Sequence, residues 1–132
     1  MPGGAERLAG DPPSPYEDRY GFSRLVRAGG FVLIGGTTSV DRSGAVLGST
    51  PYEQAVEILG RLDHELARVD LSLRDVIQTH VYVTDISRCD EVGRAHGEAF
   101  GDTRPLMTML EVSGLIDPRM LVEIEAMALG RG

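Results

Sequence analysis

The chain has 132 residues, 42% of them hydrophobic and 25% charged, and this size and composition are typical of one globular domain. Its formal net charge of −7 argues against a nucleic-acid partner or an anionic membrane surface, because binding to phosphate groups requires clustered Lys and Arg. With no apolar stretch of membrane-spanning length, no signal-peptide pattern at its start and one cysteine, Cys89, the sequence predicts a cytoplasmic protein without an internal disulfide.

Residues 1–15 are predicted to form a flexible N-terminal arm, and residues 16–132 a single domain. The arm is rich in residues that disfavour regular structure: Pro2, Gly3, Gly4, Gly10, Pro12, Pro13 and Pro15. Such a segment is ordered only where another part of the protein holds it. The remaining sequence contains no recognisable internal repeat and no linker to a second domain.

The domain begins with two short predicted strands, residues 23–27 and 31–34, joined by a hairpin turn that contains two glycines. The glycine pair Gly35 and Gly36 follows the second strand, and residues 41–44 form another predicted turn. We therefore expect a β-hairpin at the start of the domain.

The first long helix has the clearest local signals. Thr50 is a favourable N-cap residue, Pro51 suits the first helical position and Glu53 completes a capping box. Apolar residues then recur at helical spacing: Ala55, Leu59, Leu62, Leu66 and Val69. We expect this stripe to be buried and His64, on the other side of the helix, to be solvated.

Residues 76–84 are predicted to form a strand whose alternate residues lie on two faces. One set is Ile77, Thr79, Val81 and Val83, and the other is Val76, Gln78, His80 and Tyr82. A second helix is predicted from near Ser87 to Phe100, with these residues buried: Val92, Ala95, Ala99 and Phe100. Strands at residues 106–112 and 120–129 close the chain. The order predicts an α+β fold in which two helices pack on one face of a mixed sheet.

The last two strands leave one face of the sheet without helices to cover it. The residues expected to face the helices are Leu106, Thr108, Leu110, Val112, Val122, Ile124, Ala126 and Ala128. The opposite residues are Met107, Met109, Glu111, Leu121, Glu123, Glu125 and Met127. Carboxylates are rarely buried in a core, and clustered methionines are rare on a solvent-exposed face. The composition of this face therefore predicts an interface between copies of the chain, with a polar cleft at its edge. A solvated face and a ligand pocket in a monomer are the alternatives.

Four segments, taken in order, resemble the Rid/YjgF family. They are residues 30–37 (GFVLIGGT), residues 75–85 (DVIQTHVYVTD), residues 104–105 with 109–112 (RP and MLEV), and residues 121–126 (LVEIEA). The resemblance extends over nearly all of the chain except the arm. No single segment is specific, and the signal comes from the four occurring in the family's order.

The resemblance implies a chorismate-mutase-like fold and a homotrimer whose three sheets line an inner β-barrel. It also implies three clefts between subunits, each of which binds a small-molecule substrate or ligand. The activity it implies is hydrolysis of reactive enamines or imines, released by pyridoxal-phosphate enzymes, to keto acids and ammonia. The family uses no cofactor for this reaction.

The catalytic residue implied by the resemblance is Glu123, the carboxylate that positions or activates the attacking water. The family's arginine, which binds the substrate carboxylate through two parallel hydrogen bonds, is replaced by Met107. A thioether cannot replace this charged group. The candidate replacement cations are Arg94, His96 and Arg104.

The other predicted substrate-binding residues are Tyr20, Phe22, Gly35, Gly36, Pro105, Met109 and Glu111. Phe22 aligns with a family tyrosine, with Tyr20 close enough to substitute, and Met109 stands where many members have cysteine. The resemblance implies that the glycine pair offers backbone N–H groups to a ligand carboxylate. Glu111, if it lies close to the catalytic carboxyl, would raise its pKa as a like charge.

Two functions are compatible with this departure from the family pattern. The protein either hydrolyses an imine or enamine that lacks a carboxylate or whose carboxylate is held by another cation, or it does not deaminate and instead binds a small metabolite or a protein, as a metabolite-binding or regulatory trimer. The endoribonuclease label given to some family members is disfavoured by the acidic charge. His64, His80 and His96 are too dispersed in sequence to predict a metal site.

Overall fold

The computed structural model describes residues 4–130 of the protein. Its strands are β1 (Glu6–Leu8), β2 (Leu25–Ala28), β3 (Phe31–Thr37), β4 (Val76–Val83), β5 (Leu106–Glu111) and β6 (Val122–Leu129). Its α-helices are α1 (Pro15–Tyr20), α2 (Pro51–Ala67) and α3 (Cys89–Phe100). Short 3-10 turns at Leu73–Asp75, Ile86–Arg88 and Gly101–Thr103 connect them. Within the described part of the chain, no helix is long and apolar enough to cross a membrane.

The six strands form one mixed sheet in the order β1-β2-β3-β6-β4-β5. β4 and β5 are parallel, whereas the other neighbouring strands are antiparallel. The long helices α2 and α3 pack on one face, and the core lies between them and the central strands β3, β6 and β4. The predicted α+β class, with both long helices on one face, is confirmed.

Helix α2 confirms its predicted start and its buried side. The Thr50 hydroxyl accepts a hydrogen bond from the Glu53 N–H (3.1 Å), and all five residues of the predicted stripe are buried. Ile58, which the stripe omitted, is also fully buried. The Glu53 carboxylate accepts from the Ser49 N–H (2.9 Å), so the reciprocal half of the predicted capping box is displaced by one residue.

The N-terminal segment contains two elements that the sequence analysis did not predict. Strand β1 pairs antiparallel with β2, and α1 begins with a capping box between Ser14 and Glu17. Glu17 also accepts from the Gly10 N–H (2.8 Å), and Glu65 of α2 accepts from the Asp11 N–H (2.9 Å). The segment therefore has the partners that an ordered arm requires. The flexibility of residues 1–15 stays a prediction, and residues 1–3 lie outside the described part.

The faces of β5 are the reverse of those predicted. In the parallel pairing with β4, Thr79 lies beside Met107 and Val81 beside Met109, and paired residues project to the same side of a sheet. Because Thr79 and Val81 are buried under the helices, Met107, Met109 and Glu111 face the helix side. The open face instead carries the remaining residues of this strand: Leu106, Thr108 and Leu110. The sequence correctly indicated that these residues alternate between the two faces, but it assigned each set to the wrong face.

Two smaller corrections concern β4 and α3. A register shift between Val76 and Gln78 places Val76 in the core and leaves Ile77 40% exposed, the reverse of the predicted alternation at this end. On α3, the predicted core residue Ala99 is exposed, and His96 is buried in its place. The first change exchanges adjacent residues, and the second exchanges residues one helical turn apart; apolar spacing alone does not resolve either one.

Candidate functional site

A cavity of about 620 Å³ lies where β3 and β6 meet α1 and α2. Glu123 of β6 and Gly36 of β3 line one end of it, and Tyr20 and Phe22 contribute from α1 and the segment that follows. The side of α2 that bears Arg61 completes the wall. This volume suits a small metabolite and is within the usual range for ligand pockets.

The Glu123 carboxylate is half-buried and lies directly against the backbone of Gly36. A methyl group built on Gly36 would overlap the Glu123 Oε2, so a larger residue here would displace the carboxylate from this position. Among residues 4–130, no protein group forms a hydrogen bond or an ion pair with this carboxylate. Its oxygens are therefore free to hold a water molecule or a substrate.

The local environment raises the pKa of Glu123. Burial is the main cause, since it disfavours the charged form; the positive charge of Arg24 opposes the rise and the negative charge of Glu125 adds to it. A carboxylate with a raised pKa accepts a proton more readily than an ordinary surface glutamate. This property suits a general base.

Arg24 fixes the backbone of the glycine pair beside Glu123, a role that the sequence did not predict. Its Nη1 donates to the carbonyl oxygens of Gly35 (3.3 Å) and Gly36 and to the Thr37 Oγ1 (3.1 Å). Its Nη2 lies 3.6 Å from the Glu17 carboxylate, and both side chains are almost fully buried. The guanidinium thereby fixes the backbone against which Glu123 lies. Its burial has no sequence signal, because it resembles the other scattered arginines.

The glycine pair is organised differently from the prediction. The Gly35 N–H donates to the Arg24 carbonyl oxygen (2.9 Å), so it is not available to a ligand carboxylate. β3 has a register shift between Ile34 and Thr37 at this point, which turns both glycine carbonyls toward Arg24. Gly36 lines the cavity, whereas Gly35 lines a second, neighbouring cavity of about 470 Å³ on the open face of the sheet.

The structure brings together only part of the predicted site. Glu123, Tyr20, Phe22 and Gly36 share the larger cavity. The predicted residues that line neither cavity of the protomer are Arg94, His96, Arg104, Pro105, Met107, Met109 and Glu111. Their place in the site stays a prediction, since it depends on a second subunit bringing them to the cavity.

His96 is not a suitable cation for a substrate carboxylate. Its side chain is 7% exposed, and its Nε2 lies 2.8 Å from the Thr79 Oγ1 inside the core. Burial lowers the pKa of this imidazole and favours its neutral form. His96, named as a candidate cation, instead fills the position under the sheet that Ala99 was predicted to occupy.

The two candidate arginines, Arg94 and Arg104, differ in the contacts that they already make with the protein. Arg94 stacks on the Tyr52 ring at 3.8 Å, and its Nη1 lies 3.9 Å from Glu98 on the surface between α2 and α3. Arg104 is exposed and has a left-handed backbone conformation (φ 48°), which is uncommon for a residue other than glycine. Of the two, Arg104 is thus the more available for a ligand.

A separate polar network occupies the open face beside the smaller cavity. Glu125 accepts a hydrogen bond from the Tyr82 hydroxyl (2.7 Å) and lies 3.0 Å from the His80 Nδ1, while Gln78 contacts the other ring nitrogen of His80 (3.3 Å). The bond to Glu125 raises the pKa of Tyr82 to about 12, helped by burial. His80 is therefore placed at the smaller cavity, on the open face of the sheet.

His64 lies at the larger cavity, with its Nε2 3.3 Å from the Asp11 carboxylate. The imidazole is more than half exposed, as predicted, and it connects α2 to the segment that precedes α1. Within residues 4–130, no group of His, Cys, Asp and Glu side chains is arranged to hold a metal ion.

Comparisons with known proteins agree with this architecture. The family model described as Endoribonuclease L-PSP matches residues 15–130. An uncharacterized protein of Streptomyces coelicolor is 39% identical over 115 residues, which cover 87% of this chain and 86% of that protein. The crystal structure of Rv2704 from Mycobacterium tuberculosis, a member of the highly conserved YjgF/YER057c/UK114 family, superimposes with a TM-score of 0.84 at 40% identity, covering 95% of this chain and 98% of that one. The 3-aminoacrylate deaminase RutC of Acinetobacter baylyi is 26% identical over 121 residues, covering 90% and 91% of the two chains.

Proposed function

Because the chain belongs to the Endoribonuclease L-PSP family, also called YjgF/Rid, we propose that it hydrolyses a reactive imine or enamine to a carbonyl compound and ammonia. The observation that carries this proposal is the Glu123 carboxylate, which is half-buried, has no protein partner among residues 4–130 and lines a cavity of about 620 Å³. The RutC relative, named a 3-aminoacrylate deaminase, supports the same type of reaction.

In the proposed mechanism Glu123 acts as a general base toward water. The imine, or the imine tautomer of an enamine, reacts as its iminium ion. The water oxygen bonds to the iminium carbon, the C=N π electrons move to nitrogen, and Glu123 takes one proton from the water, which gives a neutral carbinolamine. Glu123 then returns this proton to the carbinolamine nitrogen, the C–N bond breaks as the C=O bond forms, and the remaining hydroxyl proton passes to the departing ammonia. One iminium ion and one water molecule give one carbonyl compound and one ammonium ion, without a cofactor.

The position of Glu123 favours proton transfer in both directions. Burial raises its pKa and so reduces the difference between the carboxyl and the groups that exchange protons with it. Arg24 limits this rise and keeps a population of ionised carboxylate that can accept the first proton. The Gly36 backbone restrains the carboxylate on one side and leaves the cavity side open.

The proposal is tested by generating imines in situ with a flavin amine or amino-acid oxidase and measuring the excess hydrolysis rate that the protein causes. Glu123→Gln keeps the shape of the side chain but removes the base, and we expect the excess rate to fall about 100-fold or more. Glu91→Gln is the matched control, because Glu91 pairs with Arg88 on the surface of α3 away from the cavity. Equal rates for wild type and Glu123→Gln would contradict the proposed role.

We also propose that the working unit is a homotrimer with its clefts between subunits. The open face of the sheet supports an interface, because it exposes large apolar side chains: Phe31, Leu33, Leu106 and Leu110. Light scattering should give about three times the chain mass of 14.2 kDa. A mass of one chain at micromolar concentration would contradict the trimer.

A role in small-metabolite binding without turnover is the second candidate function. Met107 favours it, since this residue stands where the deaminating members have their carboxylate-binding arginine. A ligand would then raise the melting temperature, while the protein would not accelerate the hydrolysis of any imine tested.

A further inference from the structure

We propose that the Glu123 cavity selects imines that carry no carboxylate, in their neutral or iminium form. This inference rests on the proposed imine hydrolysis and concerns its substrate class. It follows from the charges that line the cavity and from the partners that those charges already have.

The cavity is lined by more carboxylates than cations. Its acidic residues are Asp11, Glu17, Glu57, Glu65 and Glu123, and its basic residues are Arg24, Arg61 and His64. Even with His64 protonated, the carboxylates exceed the cations. A bound anion would therefore enter a region of net negative charge, which disfavours its binding.

Both arginines of the cavity are already engaged by the protein. Arg24 forms an ion pair with Glu17 and donates hydrogen bonds to the carbonyl groups of the glycine pair. Arg61 donates to the carbonyl oxygens of Thr38 (3.3 Å), Ser39 (3.2 Å) and Val40, and its Nε lies 3.5 Å from the Glu57 carboxylate. Turning either guanidinium toward a substrate carboxylate would leave partly buried backbone carbonyls without a donor, which is costly.

Apart from Glu123, the carboxylates of the cavity each contact a basic side chain. The His64 Nε2 lies 3.3 Å from the Asp11 carboxylate, a charged pair when the imidazole is protonated, and Glu65 pairs with Arg68. Among the described residues, Glu123 is the cavity carboxylate that has no such partner. A substrate carboxylate would face this unpaired negative charge, whereas a protonated imine would complement it.

Met107, which stands where the family has its arginine, adds no positive charge to the cavity within one chain. Met107 is uncharged, and it lies on the helix side of β5, whereas Glu123 projects from the open face beside its pairing partner Tyr82. The charge distribution thus matches the iminium ion itself, whose carbon is the electrophile that the Glu123-bound water attacks.

The test uses two imines that differ only in the carboxylate. A flavin amino-acid oxidase converts phenylalanine to the imino acid, and a flavin amine oxidase converts 2-phenylethylamine to the corresponding imine without a carboxylate. Semicarbazide traps the imine that remains, so the excess hydrolysis rate caused by the full-length protein is measured for each. We expect the carboxylate-free imine to be favoured about tenfold or more.

The outcomes separate this inference from the proposed function. An equal or greater excess rate with the imino acid overturns the substrate class while leaving imine hydrolysis intact. That result would mean that a cation from elsewhere, such as a neighbouring subunit, reaches the cavity. An absence of acceleration with both imines overturns the proposed function, and this inference with it.

A charge variant tests the electrostatic basis directly. Glu57→Gln removes the partner of Arg61, which its three carbonyl acceptors still hold at the cavity, so the local charge becomes more positive by one unit. We expect the preference for the carboxylate-free imine to fall about threefold or more. Glu91→Gln changes the net charge of the protein equally at a distance and should leave the preference unchanged. An unchanged preference in Glu57→Gln would contradict the charge argument.

Discussion

The Glu123 cavity and the edge strand β5 differ in how the chain builds them, although the family resemblance joins them in one site. At the cavity, residues distant in sequence meet around an unpaired carboxylate, with Gly36 and Arg24 fixing its surroundings. On β5, Met107 and Glu111 lie on the opposite side of the sheet from Glu123. The contrast shows that residues of one family motif need not meet within one protomer. If these residues take part in the site, a second copy of the chain has to bring them there.

The largest expected effect comes from removing Arg24, which fixes the surroundings of Glu123 at the cavity. Arg24→Met leaves the buried Glu17 carboxylate without its ion-pair partner, and we expect the free energy of unfolding to fall by about 3 kcal/mol. Arg27→Met is the matched control three residues further along the chain, in β2, since the Arg27–Glu6 pair is about half exposed and its loss should cost less than about 1 kcal/mol. Urea unfolding measures both. Similar losses in the two variants would show that Arg24 does not support the cavity as described.

Gly36→Ala tests the contact between β3 and the Glu123 carboxylate. The added methyl group overlaps Glu123 Oε2, so the carboxylate must move, and we expect the excess imine hydrolysis rate to fall about 10- to 100-fold. Gly97→Ala is the control, because nothing lies within 4 Å of the added carbon in the middle of α3. Full activity in Gly36→Ala would contradict the proposed position of Glu123 during the reaction.

Met107→Arg asks whether β5 and the cavity meet in the assembly. Within one chain the new guanidinium would lie on the helix side of the sheet and would not reach Glu123. In the proposed trimer, β5 of a neighbouring subunit would bring it to the cavity, so we expect hydrolysis of 2-iminobutanoate, which carries a carboxylate, to increase about tenfold. No change in a variant that remains folded and trimeric would count against the intersubunit cleft.

Glu123→Gln should stabilise the folded protein slightly near neutral pH. Because the folded protein has a raised Glu123 pKa, ionisation of this group lowers stability as the pH rises from 4.5, its ordinary value, through the folded-state pKa. The glutamine variant avoids this loss. Its melting temperature should exceed that of wild type by roughly a degree or more near neutral pH, and the difference should disappear below about pH 4. A lower melting temperature at neutral pH would contradict the raised pKa.

How much the sequence predicted also differs between the two regions. Helix α2 could be predicted because an N-cap, a proline and a buried stripe are local signals that agree. β5 could not be oriented, because Met107, Met109, Leu106 and Leu110 are all apolar and nothing in their alternation distinguishes the helix side from the open side. The phase was decided by the parallel pairing with β4, which is a tertiary contact.

Only part of the candidate site could be predicted from the resemblance, and the charged residues that the fold buries beside it could not be predicted from the sequence. Glu123 and Gly36 followed from the family pattern and lie together at the cavity. Arg24 and Glu17 were missed, since the sequence does not reveal which charged residues a fold will bury as a pair. His96 was misplaced for the same reason, because its hydrogen bond with Thr79 makes burial of a polar ring acceptable.

The most direct test of the role of Glu123 is the pH dependence of imine hydrolysis, corrected at each pH for the uncatalysed rate. The rate should decrease on the acid side with an apparent pKa above 4.5, because the base must be ionised and burial raises its pKa. This acid limb should be absent in Glu123→Gln. A limb at or below 4.5, or one that persists in the glutamine variant, would contradict the assignment of Glu123 as the base.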